Sequence, residues 1–255
     1  MKNINRATVV TSSALFSTAM LNSDGFSVSR NELIQRIDLL KAILKEDLYS
    51  SQTIISEKTA EEIIDQMKKL NFISKEDISD RISLSNKEAA RLSFYRNNIS
   101  HLLIIESLIC GFFQYKKTIT KENLVDSLKM IFPFLKEEFF LKWREDELES
   151  VIELKLQKLV KLKLLNEDSE NFMRPNFKSK EFYETQALGK MVQPSIDRFY
   201  VLISQLWKNA KSHVSKNDLE KNSLKILQKL EKTHARLTPE FSEKWMFDVF
   251  LNRLL

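Results

Sequence analysis

The stretch "SFYRNNISHLLIIESLICGFF", residues 93–113, decides how the rest of the chain reads. It opens with Arg96, Asn97 and Asn98, carries His101 a turn later, and then runs as hydrocarbon broken by Glu106. Three readings compete: a membrane span, a catalytic helix, or a buried helix whose polar end meets another protein surface. Residues 99–113 offer about 15 mostly apolar positions, where a span needs about 20 without strong charge. An ionised Glu106 at bilayer depth would add a further cost. The stretch therefore reads as a helix surrounded by protein. Leu102, Leu103, Ile105, Leu108, Ile109 and Phe112 supply packing, while Cys110 and Gly111 let a neighbour approach closely.

Composition supports helices around it. The 255 residues suffice for a real core, and 43% hydrophobic with 29% charged residues is ordinary for a globular protein. Only three glycines and four prolines are present, so no glycine cluster exists to let backbone approach a phosphate, and many tight hairpins are improbable. A Rossmann or P-loop site is excluded on that ground. The single Cys110 rules out an internal disulfide and a cysteine-based zinc cluster, which fits a reducing compartment. The net charge of +5, with signs interleaved, is compatible with an anionic membrane surface or nucleic acid but diagnostic of neither. "ATVVTSSALFSTAML" faintly imitates a signal peptide, but Thr and Ser interrupt its apolar block, so a cleaved signal is not expected.

Along the chain, Ser29 with Glu32, Thr59 with Glu62, and Ser85 with Glu88 read as capping boxes at helix starts. A broad apolar stripe from Leu33 to Leu44 follows the first, and "AEEIIDQMKKLNF" gives a short second helix. "FISKEDISDRISLS" then reads as two brief strands around an acidic turn. The order recurs: "TKENLVDSLKMIF" is a helix ended before Pro133, "EDELESVIELKLQKLVKL" a longer one, and "LLNEDSENFMRP" another strand pair. Further helices are expected over 179–208, interrupted near Pro194, over 215–233 from a cap at Ser215, and over 239–254. The expected fold is all-α: mainly helical, with two small β-hairpins, near 71–84 and 164–175, giving winged-helix-like units. It forms a single helical body over 1–255, with possible sub-units 1–84, 85–178 and 179–255.

The candidates for chemistry are thin. His101 and Glu106 lie five positions apart, which turns their side chains about 140° from each other on one helix, so they do not share a site. His213 and Asp218 have the H-x-x-x-x-D spacing in which a histidine general base is oriented by a carboxylate. Asp218, however, falls in a first helical turn behind the cap Ser215, where a carboxylate is favoured anyway. No catalytic residue, cofactor or metal ligand set is expected, since three scattered histidines and one cysteine make a poor ligand group. Trp143, Trp207 and Trp245 read as core or interface anchors.

Three segments carry a resemblance. "LSFYRNNISHLLIIESLI" resembles the Tyr-Arg-Asn-Asn, two residues, His signature in the C-terminal region of bacterial membrane-bound glycerol-3-phosphate acyltransferases. "INRATVVTSSALFSTAML" is similar to the segment that follows that family's acyltransferase domain, and "TPEFSEKWMFDVFLNRLL" to its closing helix. The resemblance implies that the catalytic H-x-x-x-x-D domain lies outside this sequence, on a separate chain or lost from a split gene, and gives His101 no catalytic role. It implies a non-catalytic domain supporting an acyltransferase in the first step of phospholipid synthesis. The setting implied is the cytoplasmic face of the bacterial inner membrane, peripherally, or the cytoplasm if the chain stands alone. Tyr95, Arg96, Asn97, Asn98 and His101 are then candidates for interdomain docking, their amide and guanidinium donors suited to loops or carboxylates on the acyltransferase domain. The alternative is that they satisfy carbonyls within their own domain. A winged-helix nucleic-acid binder or a helix-recruiting scaffold is the rival function. "EEIIDQMKKL" has mixed charge and "KEDISD" is acidic, so nucleic acid is not the expected partner.

Overall fold

The structure is a computed structural model that describes residues 2–73, 80–209 and 215–234. A short α1 (Lys2–Arg6) leads into β1 (Val9–Val10) and then α2 (Ser12–Leu21), which Thr11 caps by accepting from the Ala14 amide. The stretch that imitates a signal peptide is thus a core helix, with nine of its ten residues buried. β2 (Ser27–Ser29), α3 (Arg30–Glu46), β3 (Ile54–Ile55), α4 (Ala60–Lys69) and β4 (Arg81–Ser83) follow. The opening stretch lies in α5 (Asn86–Phe112), whose buried residues run almost unbroken from Ile99 to Cys110. The second half holds β5 (Thr118–Thr120), α6 (Lys121–Phe139), α7 (Leu148–Lys161), β6 (Asn166–Glu167) and β7 (Asn171–Met173). Three helices close the described chain: α8 (Lys180–Gly189), α9 (Gln193–Lys208) and α10 (Lys216–His234). The protein is predominantly helical, and the strands are short.

The repeat is closer than its hairpins suggest. "FSVSRNEL" (26–33) and "KTITKENL" (117–124) each form a strand whose last residue caps the next helix, Ser29 accepting from the Glu32 amide and Thr120 from the Asn123 amide. β2 pairs antiparallel with β4, Val28 opposite Ile82, and β5 pairs the same way with β7, Ile119 opposite Phe172. The flanking bonds also match: Arg30 N to Asp80 O and Lys121 N to Glu170 O. α4 and α7 end alike, in a residue of positive φ, Asn71 at 57° and Lys163 at 61°. The next amide reaches back to the last turn in each case, Phe72 to Met67 O and Leu164 to Leu159 O. Each turn then buries an apolar pair, Phe72 with Ile73 and Leu164 with Leu165.

Several expectations change. The second hairpin forms, β6 against β7, and gains β5 as a third strand. The first, expected over 71–84, is described only in part. β4 takes its partner β2 from before α3, residues 72–73 are not a strand, and 74–79 lie outside the described residues. α6 does not stop before Pro133 but continues to Phe139, because Phe132 and Leu135 anchor it on either side and a half-exposed proline costs only one ladder bond. Ser29 caps α3, but Glu32 turns to Arg36 at 2.5 Å instead of closing a capping box; the boxes at Thr59 and Ser85 are complete. Trp143 packs edge-on against Tyr49, whereas Trp207 is 83% exposed and no core anchor. Trp245 and the helix expected over 239–254 lie outside the described residues.

The main hydrophobic core runs continuously from Val10 to Val192, and a smaller cluster joins α9 to α10. α5 is the spine. Its oily face needs ionic help in one place, where buried Glu106 meets Lys155 at 3.1 Å and also bonds Lys158, both on α7. Lys155 reaches Asp47, just past α3, at 2.6 Å, and Lys158 donates to the Ile43 carbonyl at 3.2 Å. Burial disfavours ionised Glu106, but the two ammonium groups outweigh it and hold the carboxyl below its ordinary range. The same partners, Glu106 and Asp47, hold the Lys155 ammonium above its ordinary range against the cost of burial. One carboxylate thus ties α3, α5 and α7 together.

Candidate docking face

Capping at Ser85 starts α5, so the residues at 94–101 lie two to four turns into a helix already fixed by its apolar face. Helical geometry sorts them. Arg96 lies in line with Leu92, Ile99 and Leu103 and is buried with them, at 5% exposure. Tyr95, Asn97 and Asn98 are exposed, and so is Phe94, at 66%. Tyr95 stands edge-on to Phe72, with ring centroids 5.8 Å apart, and Arg91 stacks over the same Phe72 ring at 4.7 Å. The face therefore presents Phe94, Tyr95 braced by the Phe72 ring, and two adjacent amides. Phe94 is absent from the residues expected here, although its helical position beside Asn97 and Asn98 makes its exposure readable.

His101 lies on the same side of α5, one turn beyond Asn97, but α1 and the segment after it cover it. Its Nε2 lies 3.2 Å from the Asn5 carbonyl and 3.1 Å from Thr8 Oγ1. A carbonyl only accepts, and Thr8 donates its own hydroxyl to that same carbonyl at 2.8 Å. Nε2 therefore carries the hydrogen. The ring also meets Tyr49 edge-on, with ring centroids 5.2 Å apart, and Tyr49 in turn meets Trp143 and Lys142. Burial pushes the His101 pKa down to about 4, the Asn5 bond opposing this only in part, so the ring is neutral near pH 7. Asn5 also donates to the Phe139 carbonyl at 2.8 Å, so α1 is fastened to both α5 and the end of α6. His101 is a fastener of the segment above it.

That segment extends the face. Val9 of β1 pairs with Ile54 of β3, and the two are 52% and 62% exposed, with Ile4 of α1 at 68%. Of the five expected residues, the structure thus presents three outward and uses Arg96 and His101 as internal supports. His101 and Glu106 have separate partners, as their spacing requires. Asp218 accepts from the Ser215 hydroxyl at 2.7 Å in the first turn of α10, while His213 lies outside the described residues. No group of three His, Cys, Asp or Glu side chains suited to a metal occurs among the described residues.

Known proteins decide what this architecture belongs to. Over residues 1–255 the sequence matches the family described as the glycerol-3-phosphate acyltransferase C-terminal region. The chain belongs to that family. It is similar to a glycerol-3-phosphate acyltransferase of Pseudomonas fluorescens, at 26% identity over 256 aligned residues that take in all of this chain and 31% of the relative. Enzymes of the same name from two Pseudomonas aeruginosa strains are 27% identical over the same shares. The chain thus spans about a third of the length of these relatives and corresponds to their C-terminal region. A nucleic-acid-binding role finds no support in these matches. The exposed charge of α7 is also acidic in part: Glu149 and Glu153 face Lys129 and Lys121 of α6 in ion pairs.

Proposed function

We propose that this chain is the helical support of a glycerol-3-phosphate acyltransferase, holding the acyltransferase domain through the face built by Phe94, Tyr95, Asn97 and Asn98. The observation that carries the reading is the match of the whole chain to the C-terminal region of enzymes named for that activity. The geometry supports it: exposed aromatics and amides on a helix locked by buried ions suit a rigid contact surface, which spares ordering cost on binding. The assembly works in phospholipid synthesis, at the cytoplasmic face of the bacterial inner membrane, as a peripheral protein. No helix among the described residues is long and apolar enough to cross a membrane.

The test is binding of the chain to a separately expressed acyltransferase domain of the family. Phe94→Ser combined with Asn98→Asp should weaken binding at least about tenfold while shifting stability by no more than ~0.5 kcal/mol, as exposed substitutions do. Arg96→Ala should do the opposite, lowering the melting temperature because it removes a buried side chain and its packing. Undiminished binding by the Phe94/Asn98 variant removes the docking face.

A further inference from the structure

We propose that the outer face of α9, together with the groove at its start, lies against an anionic lipid bilayer. It rests on the peripheral placement proposed above, not on the docking face of α5. The groove has a volume of about 220 Å³ and lies between the end of α5, α6 and the turn into α9. Leu108, Phe112, Ile131, Val192 and Ile196 make its walls apolar, and Tyr115 and Lys116 stand at its rim. Tyr115 is 79% exposed.

From Ile196 the apolar surface continues along α9 as Tyr200, Ile203 and Trp207. The four positions i, i+4, i+7 and i+11 form one stripe, opposite the face on which α9 buries Ser195, Arg198 and Leu202. Tyr200 is 71% exposed and Trp207 83%. Eleven residues of helix carry this stripe about 16 Å. Large apolar side chains contiguous with a groove, on the outer side of a helix already satisfied on its inner side, mark a contact surface. Tyrosine and tryptophan are the side chains that suit the boundary between headgroups and acyl chains, because each ring has an apolar body and one polar edge.

Charge selects the partner. Lys116 and Lys117 at the groove and Lys208 beside Trp207 are exposed and form no ion pair among the described residues. Asp197, beside Ile196, is held by Gln193 at 2.6 Å. Lysines at both ends of an apolar stripe meet anionic headgroups while the stripe sinks to the depth of the first methylenes, the geometry of a helix lying in the interface plane.

The full chain is mixed with vesicles of phosphatidylcholine containing about a third phosphatidylglycerol, and with pure phosphatidylcholine, and bound protein is sedimented. The chain should bind the anionic vesicles at least about tenfold more strongly than the neutral ones. Tyr200→Ser with Trp207→Ser should reduce binding to both at least about tenfold, and Lys116→Glu with Lys117→Glu should abolish the anionic preference. Phe94→Ser, on the docking face, should leave vesicle binding unchanged. A wild-type chain that stays in the supernatant overturns the proposal, as does undiminished binding by the Tyr200/Trp207 variant. Loss in that variant of a concentration-dependent dimer, with no vesicle binding by the wild type, assigns the stripe to a second copy instead. Docking to the acyltransferase domain is measured separately, so failure at the membrane and failure of the docking face remain distinguishable.

Discussion

At the scale of single residues, polar groups inside apolar surroundings carry the specificity of this fold, and His101 shows how that is measured. Its burial lowers the folded pKa to about 4 from an ordinary 6.5. Between those values the unfolded chain binds the proton and the folded chain does not, so stability falls as pH falls through that window. The protein should lose about 2 kcal/mol between pH 7 and pH 5 from this group, seen as a shift in the urea midpoint. His101→Gln should be less stable at pH 7 but flatter across the window; equal slopes in the two proteins would mean that the ring is not held neutral. These roles were only partly legible in the sequence. Arg96 reads as a docking donor when taken with Asn97 and Asn98, yet its spacing from Leu92, Ile99 and Leu103 places it on the buried side. Lys155 and Lys158 sit within the apolar stripe of α7 for the same reason, and an unmatched Glu106 in an oily helix was the signal that two cations must meet it.

Among elements, local chemistry was readable and long-range pairing was not. The caps at Ser29, Thr59, Ser85 and Ser215 depend on residues within one turn, and helices begin behind each of them. β2 is three residues containing two serines, and only β4, across two helices, makes it a strand. Pro133 misleads for a similar reason, since tertiary anchoring on both sides carries α6 through it. The close approach of α8 to α5 at Gly189 supplies a sharp test. A methyl at Gly189 would meet the Cys110 backbone carbon and the Gly111 amide at 2.9 Å, and neither can move aside. At Gly111 the nearest atom is a Val192 methyl at 3.5 Å, an ordinary contact. Gly189→Ala should therefore cost about 1–3 kcal/mol, whereas Gly111→Ala should be neutral or stabilising by up to ~1 kcal/mol through helix propensity. Thermal melts of the two variants read the difference, and equal melts would contradict the packing of α8 on α5.

For the whole molecule, two repeated strand–helix–helix–strand units share one core, and α9 with α10 hang from it by narrower means. Glu106 joins the units where α3, α5 and α7 converge, in a buried site. α9 is fastened instead by Glu138 of α6, which accepts from Arg198 and from Ser195 at 2.6 Å, and by Phe134 against Phe199, ring centroids 4.4 Å apart. Among the described residues, its own cluster with α10 buries Val201, Leu202, Leu219 and Leu227. Over the same described residues this layer buries less apolar surface than the core that supports it, and such a layer opens at lower free energy. Native-state hydrogen exchange should therefore show α10 amides opening sub-globally, while those of α2 and α5 exchange only on global unfolding. Glu138→Gln should raise exchange in α9 and α10 at least about tenfold and leave α5 unchanged, since it weakens the fastening alone. Glu106→Gln should raise exchange in α2 and α5 as well, because an ammonium left underpaired in the interior weakens the joint on which both units depend. If Glu138→Gln accelerated α5 as much as α10, the last two helices would unfold with the core, and the lipid-facing stripe on α9 would be borne by the rigid body itself.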